Sequence, residues 1–379
     1  MSGSGRGDPS ERAILRKSPW RDKAARWKWQ FDGALGKIAL TCPPSTCTRP
    51  VDDTQARPDI EQLRALVQDD ANAVDRLIRA RLYSDVVLIN QLSHYIIAGG
   101  GKRLRPLIAL LSAKAAGYSG SRHIEAAVII ELVHTATLLH DDVVDSSNMR
   151  RGRETANLVW GNEASVLVGD FLYSRAFQMM VDLQNLRVLE ILADATNVIA
   201  EGEVMQLMNC HDPNTTEERY LTTIHNKTAK LFEAAAMLGA VVAGKSGGFE
   251  NAMGAYGRHI GTAFQLVDDA LDYSAAAETL GKNVGDDLAE GKPTLPLLYA
   301  MRHGTPAQAQ TVREAIERGG LERLDDIMHA IESTGAITYT FARAEAEAAK
   351  ALVALQEIPQ SPYREALEAL VDFAVRRTS

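Results

Sequence analysis

Apolar residues recur every three or four positions along most of the chain, which is the spacing of one face of a helix. The pattern begins at Ile60, Leu63 and Leu66 and continues, between short breaks that contain glycine or proline, to Arg376. We find no pattern typical of paired strands, and residues 1–57 show neither period. The pattern therefore predicts an all-α domain over residues 58–379.

Two of the apolar runs end in the same kind of acidic pentad. Residues 126–139 lead into the first aspartate cluster and residues 260–267 into the second. The members are Asp141, Asp142 and Asp145 in the first cluster, and Asp268, Asp269 and Asp272 in the second. Because residues four apart are neighbours on a helix, each cluster places carboxylates on one helix face.

Carboxylates this close repel one another unless a cation lies among them, especially at the end of an apolar helix. Oxygen ligands that leave room for water and phosphate oxygens suit Mg²⁺ better than Zn²⁺ or a closed Ca²⁺ cage. One pentad alone is also compatible with a solvated helix surface. Its repetition at the end of a second apolar run favours a magnesium site for diphosphate chemistry.

Two basic loops accompany the aspartates. Their cations are Lys102, Arg103 and Arg105 after the glycines at 99–101, and Arg150, Arg151 and Arg153 after the first cluster. Arginine forks match phosphate oxygens bidentately, and lysine adds a point charge. A basic helix start is the alternative for the first loop, but the positive end of the helix dipole disfavours cations there. Both loops are therefore candidate diphosphate sites.

Other polar residues interrupt apolar helical patterns. Glu131 and His134 lie in the run before the first cluster, and His134 precedes Asp141 by two turns. A lone histidine on an apolar face is also compatible with a core residue. Lys227 and Thr228 lie at a joint between two helical segments, and Gln265 precedes Asp268 by three residues.

Composition narrows the class of protein. The chain has 379 residues, 46% of them hydrophobic and 6% aromatic, which suits helices packed by aliphatic side chains. The net charge is −8, and the first fifty residues are basic, so the remainder is more acidic and argues against a nucleic-acid partner. Cys42, Cys47 and Cys210 lack paired C-x-x-C spacing, and no apolar run reaches the length of a membrane span. We expect a cytoplasmic protein with free thiols.

Residues 1–57 are basic and rich in glycine, serine and proline. We expect a disordered or loosely helical extension. A transit peptide or a mis-assigned translation start is the alternative. We assign this segment no role in the chemistry.

Taken together, these segments resemble the trans-prenyl diphosphate synthases. The matching segments are Gly-Gly-Lys-Arg-Leu-Arg-Pro at 100–106, His-Asp-Asp-Val-Val-Asp at 140–145, Met-Arg-Arg-Gly at 149–152, Lys227-Thr228, Phe-Gln-Leu-Val-Asp-Asp-Ala-Leu-Asp at 264–272, Gly281-Lys282 and Gly-Lys-Pro-Thr-Leu-Pro at 291–296. They occur in the family's order. Within the family, residues 156–180 and 198–208 are most similar to bacterial octaprenyl diphosphate synthases.

The resemblance implies a single all-α bundle of long helices around a deep cavity, in a homodimer. It also implies Mg²⁺-dependent, repeated head-to-tail condensation of isopentenyl diphosphate onto an allylic diphosphate such as farnesyl diphosphate. The product would be of octaprenyl type and serve quinone side chains. The sequence leaves heptaprenyl to decaprenyl products open.

The resemblance also implies roles for individual residues. The six aspartates would hold three Mg²⁺ ions, with Asp142, Asp269 and Asp272 as ligands or as supports for ligands. The allylic diphosphate would be bound by Arg150, Lys227 and Lys282. Isopentenyl diphosphate would be bound without metal by Lys102, Arg105, His134 and Arg151. Thr228 and Gln265 would place dipoles near the developing carbocation, and the released diphosphate would take the proton.

Small residues one turn before the first cluster predict a long product. Ala136 and Thr137 stand where short-chain members of the family carry aromatics. A helix of about twenty residues spans about 30 Å, so a tunnel alongside it accommodates many isoprene units. Our hypothesis is that Phe177 and Met180 form or border the tunnel floor; ordinary core packing is the alternative.

Three rival functions are less compatible with the sequence. A terpene cyclase would share an aspartate cluster, but Lys102, Arg105 and the second cluster favour an enzyme with two diphosphate substrates. A non-catalytic subunit of a heteromeric synthase would lose the aspartates, which are intact here. A di-iron metal-storage bundle would carry a Glu-x-x-His pair on each of two helices, whereas the sequence has this spacing once, at Glu131 and His134.

Overall fold

The computed structural model describes residues 29–32, 37–40, 60–274 and 284–377. The chain divides into two units, Met1–Asp59 and Ile60–Ser379. In the first unit, strands β1 (Trp29–Asp32) and β2 (Lys37–Leu40) pair antiparallel. This pair corrects the sequence analysis, which finds no strands. Trp29 and Phe31 alternate with polar residues, and Gly33 and Gly36 occur in the sequence between the strands, which is a strand pattern too short to stand out.

The described part of the second unit is helical apart from one two-stranded hairpin. The first helices are α1 (Ile60–Ala65), α2 (Gln68–Arg81), α3 (Val87–Ala98), α4 (Leu104–Ala115) and α5 (Arg122–Val144). The hairpin, β3 (Met149–Arg150) with β4 (Arg153–Glu154), leads to α6 (Ala156–Trp160), α7 (Asn162–Asp182) and α8 (Leu186–Asn209).

The remaining helices complete the described chain. They are α9 (Glu217–Ile224), a π-helical segment (His225–Ala229), α10 (Lys230–Val242), α11 (Gly248–Leu271), α12 (Asp286–Ala289), α13 (Leu295–His303), α14 (Pro306–Arg318), α15 (Leu324–Thr334), α16 (Ala336–Ala354), a 3₁₀ turn (Leu355–Glu357) and α17 (Pro362–Arg376). The predicted all-α class is confirmed.

Helix α5 lies at the centre of the second unit. Residues 126–133 are all buried, so the helix is enclosed on every side rather than along one stripe. It packs against α4, α7 and α10, and α10 packs in turn against α11. Because α5 and α11 each end in an aspartate cluster, the core fixes the helices that carry both clusters.

Helix α11 is held on its other side by α16. Tyr256, buried in the middle of α11, donates a hydrogen bond to the carbonyl of Leu367 in α17 at 3.0 Å. His259 Nδ1 lies 2.6 Å from Glu347 Oε2 in α16. None of the helices within residues 60–274 and 284–377 combines the length and apolar content needed to cross a bilayer.

Candidate active site

The first aspartate cluster occupies the C-terminal end of α5. Asp142 is buried and accepts hydrogen bonds from Nε and Nη2 of Arg150, both at 2.7 Å. Burial disfavours the charged carboxylate and raises the pKa of Asp142, although Arg150 acts in the opposite direction. The structure thus brings Arg150 to the first cluster.

Two lysines contact the other members of this cluster. Lys227 Nζ lies 3.5 Å from Asp141 Oδ2, and Lys292 Nζ lies 2.8 Å from Asp145 Oδ2. Burial alone would lower the pKa of Lys227, but Asp141 and other carboxylates raise it overall. The pKa of Lys292 is raised in the same way, with Asp287 and Asp145 overcoming burial. Both ammonium groups therefore stay protonated.

Lys227 and Thr228 lie on the π-helical segment between α9 and α10. Such segments are rare and occur often at functional sites. Gly202 of α8 lies against this segment, and a Cβ at that position would be 2.5 Å from the backbone nitrogen of Lys227. The glycine is therefore required for the close approach of α8 to the segment.

Glu203, next to this glycine, forms an ion pair with Lys227, with Oε2 2.6 Å from Nζ. Burial raises the pKa of Glu203 to about 7, with Asp141 adding to the rise and Lys227 opposing it. The ammonium of Lys227 thus lies between Glu203 and Asp141.

The second aspartate cluster occupies the C-terminal end of α11. Asp268 Oδ1 lies 2.6 Å from Nη2 of Arg377. Asp269 is buried and accepts hydrogen bonds from Tyr220 Oη at 2.5 Å and from Gln265 Nε2 at 2.7 Å. Burial, with the charge of Asp287, raises the pKa of Asp269 to about 7. Asp272 accepts a hydrogen bond from the backbone nitrogen of Asp287 at 3.2 Å.

Side chains connect the two clusters. Thr228 Oγ1 donates to Gln265 Oε1 at 3.0 Å, and Gln265 in turn donates to Asp269. The neighbour of Thr228, Lys227, contacts Asp141. A path of one ion pair, the peptide link between Lys227 and Thr228, and two side-chain hydrogen bonds thus runs from Asp141 in the first cluster to Asp269 in the second.

A second path joins the clusters through the backbone before α13. The backbone nitrogen of Lys292 donates to the carbonyl of Asp287 at 2.8 Å, and Asp287 contacts Asp272 of the second cluster. The side chain of Lys292 reaches Asp145 of the first cluster. The segment between residues 287 and 292 therefore ties one cluster to the other.

Arg105 at the start of α4 contacts His134 of α5. Arg105 Nη1 donates to His134 Nε2 at 3.1 Å, and its guanidinium lies 4.3 Å from the ring centre of Phe232. Burial and the positive charge of Arg105 lower the pKa of His134 well below its usual value. The imidazole is therefore neutral and accepts at Nε2, while the buried Nε of Arg105 has no hydrogen-bond acceptor among the described residues.

The other predicted cations border this region. Lys102 Nζ lies 5.2 Å from the ring centre of Phe373. Arg151 Nη1 donates to the carbonyl of Gly100. Arg151 and Gly152 both have positive φ, 53° and 72°, as a two-residue hairpin turn of type I′ requires. This turn between β3 and β4 was not predicted, because its strands are too short to show a period.

The candidate chain-length residues lie in different environments. Ala136 and Met180 are fully buried, whereas Phe177 is 42% exposed. Thr137 Oγ1 donates to the carbonyl of His134 at 2.8 Å. Lys282, predicted to bind the allylic diphosphate, lies outside the described residues.

Four residues of the site were assigned no role from the sequence. They are Glu203, Tyr220, Lys292 and Arg377. Glu203 and Lys292 stand beside glycines, which is a weak local signal. Tyr220 and Arg377 contact the second cluster from distant parts of the chain, and no local pattern points to them.

The donor set fits a hard divalent cation. Both clusters supply carboxylate oxygens only, the ligands that Mg²⁺ and Ca²⁺ prefer. Among the described residues, no three acidic, histidine or cysteine side chains are already gathered into a metal cage. Instead Lys227, Lys292, Arg150 and Arg377 pair with the aspartates.

Comparison with known proteins identifies the family of the chain. Residues 86–334 match the polyprenyl synthetase family. Octaprenyl diphosphate synthase of Escherichia coli K12 is 57% identical over 320 residues, 84% of this chain and 99% of that protein. An all-trans-nonaprenyl-diphosphate synthase of Rhodobacter capsulatus is 46% identical over 84% of this chain and 98% of that protein. A crystal structure of a Caulobacter crescentus polyprenyl synthase with calcium and isoprenyl diphosphate superposes with a TM-score of 0.82, at 48% identity, over 85% of this chain and 98% of that one. The chain therefore belongs to the polyprenyl synthetase family, a family of prenyltransferases.

Proposed function

We propose that the protein is a Mg²⁺-dependent long-chain trans-polyprenyl diphosphate synthase. It adds isopentenyl diphosphate repeatedly, head to tail, to an allylic diphosphate such as farnesyl diphosphate. The product is octaprenyl diphosphate, about C40, for quinone side chains. The observation that carries the proposal is the path from Asp141 through Lys227-Thr228 and Gln265 to Asp269, which gathers both aspartate clusters and a cation around one site.

The allylic diphosphate occupies the space between the clusters. Asp141, Asp145 and Asp268 would hold Mg²⁺, with support from Asp142, Asp269 and Asp272, and the bound metal would supply neutralisation of the negative charge on the leaving diphosphate. Lys227 and Arg150 exchange their carboxylate partners for phosphate oxygens, and Lys282 joins them. Because Lys227 keeps its proton even when buried, it offers a full charge to the leaving group.

The carbocation forms beside polar groups that carry no charge. The Thr228 hydroxyl and the Gln265 amide are fixed by the 3.0 Å hydrogen bond between them and by Asp269. Fixed dipoles stabilise developing positive charge without reorganising during the reaction. The double bond of isopentenyl diphosphate then attacks, and the released diphosphate takes the proton.

Isopentenyl diphosphate binds without metal at a separate basic site around Arg105. Arg105, whose guanidinium is fixed by His134 and Phe232, supplies the bidentate contact, with Lys102 and Arg151 at the border. The neutral state of His134 leaves the positive charge on the arginine. Separate sites for the two diphosphates distinguish a condensing enzyme from a cyclase.

Product length depends on the space below the first cluster. We place the growing chain along α5, past the small side chains of Ala136 and Thr137. Met180 and Phe177 lie on the neighbouring helix α7, and we retain them as the floor or its border.

We further propose a cytoplasmic homodimer that does not bind nucleic acid. Apolar side chains are exposed along α7 and α8 on one face of each helix. They include Val166, Leu167, Phe177 and Val181 on α7, and Val204, Leu207 and Met208 on α8. A second copy of the chain would cover them and remove Phe177 from solvent.

Product analysis tests the function. Purified protein is incubated with farnesyl diphosphate, isopentenyl diphosphate and Mg²⁺, and the dephosphorylated products are identified by mass spectrometry. We expect an octaprenol, and a loss of rate greater than about tenfold, which equals about 1.4 kcal/mol, for Asp268→Asn. Asp326→Asn removes an exposed aspartate that pairs with Arg323 and serves as the control. Absence of polyprenol, or equal rates for both variants, contradicts the proposal.

A further inference from the structure

Glu131 is a buried carboxylate that the proposed reaction does not use. It lies within the apolar part of α5 and is 7% exposed. Its Oε1 forms an ion pair with Nη1 of Arg103. A buried carboxylate is strongly unfavourable without a partner, so the position of Glu131 depends on the arginine, and that of the arginine depends on Glu131.

Arg103 stands immediately before α4 in an uncommon backbone conformation. Its φ of 49° lies in the left-handed region that favours glycine. Within the described part of the chain no side chain caps this end of the helix, and Gly101, two residues earlier, also has positive φ. The start of α4 is therefore not fixed by local preferences, and a contact from elsewhere in the chain must hold it.

Helix α5 supplies two such contacts on one face. Glu131 and His134 are three residues apart and contact Arg103 and Arg105, which are two residues apart. Arg105 is the proposed ligand of isopentenyl diphosphate. The ion pair of Glu131 therefore anchors the chain two residues before the arginine that binds substrate.

We propose that Glu131 is a positioning residue for the metal-free diphosphate site. Through Arg103 it fixes the start of α4, and so places Lys102 and Arg105 where they bind the diphosphate of isopentenyl diphosphate. Glu131 itself does not touch the substrate. This inference rests on the proposed function, because it assumes that Lys102 and Arg105 bind that diphosphate.

The negative charge of Glu131 alone would change the affinity for isopentenyl diphosphate in the opposite direction to a positioning role. Glu131 adds negative charge close to an anion site, so its removal would tighten diphosphate binding if its charge alone mattered. If positioning dominates, removal weakens binding, because the partly buried guanidinium of Arg103 loses its ion pair with Glu131 and the start of α4 relaxes. Removing both partners leaves neither charge unpaired and restores part of the affinity.

The test measures isopentenyl diphosphate binding to the full-length protein by calorimetry in EDTA, where no turnover occurs. The variants are Glu131→Gln, Arg103→Gln and the double variant. We expect each single variant to weaken binding about tenfold, and the double variant to weaken it less. In the Mg²⁺ assay, KM for isopentenyl diphosphate rises, while kcat and KM for the allylic substrate stay within about threefold.

Glu250→Gln is the matched control. Glu250 is equally buried, at 5% exposed, and its Oε1 lies 2.7 Å from Nη2 of Arg187, far along the chain from α4. Glu131→Asp keeps the charge on a shorter side chain and should weaken binding by an intermediate factor. It also provides the measurement if Glu131→Gln does not fold.

The possible results distinguish failure of the positioning role of Glu131 from failure of the proposed synthase function. Unchanged or tighter binding by the Glu131 variants overturns the positioning role, as does an equal loss in Glu250→Gln or an equal rise in the allylic KM. If the unaltered protein neither binds isopentenyl diphosphate in EDTA nor forms polyprenol, the proposed function fails instead.

Discussion

Replacing Gly202 with alanine tests whether the position of Lys227 controls the rate. The new Cβ would lie 2.5 Å from the Lys227 backbone nitrogen and 2.8 Å from the carbonyl carbon of Asn226. Ordinary contacts begin at 3.4 Å, so the π-helical segment must retreat by about 0.9 Å. Backbone atoms cannot rotate away as a side chain would, and Lys227 must move with the segment.

The displacement sets the expected magnitude. A misplacement of about 1 Å lowers a rate by up to about 100-fold, so we expect kcat to fall between about 10-fold and 100-fold. Overpacking costs about 1–3 kcal/mol, and replacing glycine by alanine within a helix returns about 1 kcal/mol. The free energy of unfolding should therefore fall by no more than about 2 kcal/mol, and the variant remains folded.

Steady-state rates with farnesyl and isopentenyl diphosphates, together with urea unfolding, measure both effects. The control is Gly254→Ala on α11, whose Cβ would meet the flexible side chain of Met237 at 3.2 Å rather than backbone. It should keep the unaltered rate and stability. A folded Gly202→Ala protein whose kcat lies within about threefold of the unaltered value refutes the argument, because the lysine position would then not be rate-determining.

Three further predictions address length, stability and metal. Ala136→Phe should shorten the product, as seen by mass spectrometry of the dephosphorylated polyprenols, and an unchanged length would exclude the path along α5. Burial raises the pKa of Glu347, but His259 and Lys350 lower it to about 2 overall, below the ordinary value of 4.5. The stabilisation is therefore complete above about pH 4.5 and lost toward pH 2, so Glu347→Gln should lower the free energy of unfolding at pH 7 by about 3 kcal/mol. Urea titrations measure the free energy of unfolding of both proteins, and the difference between them should shrink below pH 4.5. A difference that stays constant with pH contradicts this. Chelation with EDTA should stop turnover while leaving isopentenyl diphosphate binding, measured by calorimetry, intact; loss of both would mean that metal also serves the Arg105 site.

Helix positions and both aspartate clusters were accessible from the sequence because their signals are local. The apolar run before Asp141 predicts a buried helix, and residues 126–133 are indeed enclosed. The all-α class follows from the same periodicity. The short strands were not predicted. Strands β1 and β2 and the hairpin around Arg151 contain too few residues for an alternation of apolar and polar positions to be recognised.

The sequence does not show which charged side chains contact one another, because these contacts depend on which distant segments the fold brings together. Lys292 contacts Asp145 from 147 residues away, and Tyr220 contacts Asp269 from 49 residues away. Glu131 was visible as a polar interruption of an apolar run, but its arginine partner was not. Sequence patterns thus identify the charged groups of the site, whereas the structure identifies which charge balances which.

The pairing of the aspartates with lysines and arginines has a consequence for the stability of the protein without bound metal or substrate. Small domains whose folding depends on a bound metal unfold when the metal is withdrawn. Here Asp141, Asp145 and Asp268 are balanced by ammonium and guanidinium groups of the chain itself. On the proposed function, magnesium would therefore be needed for catalysis but not for completing or keeping the fold.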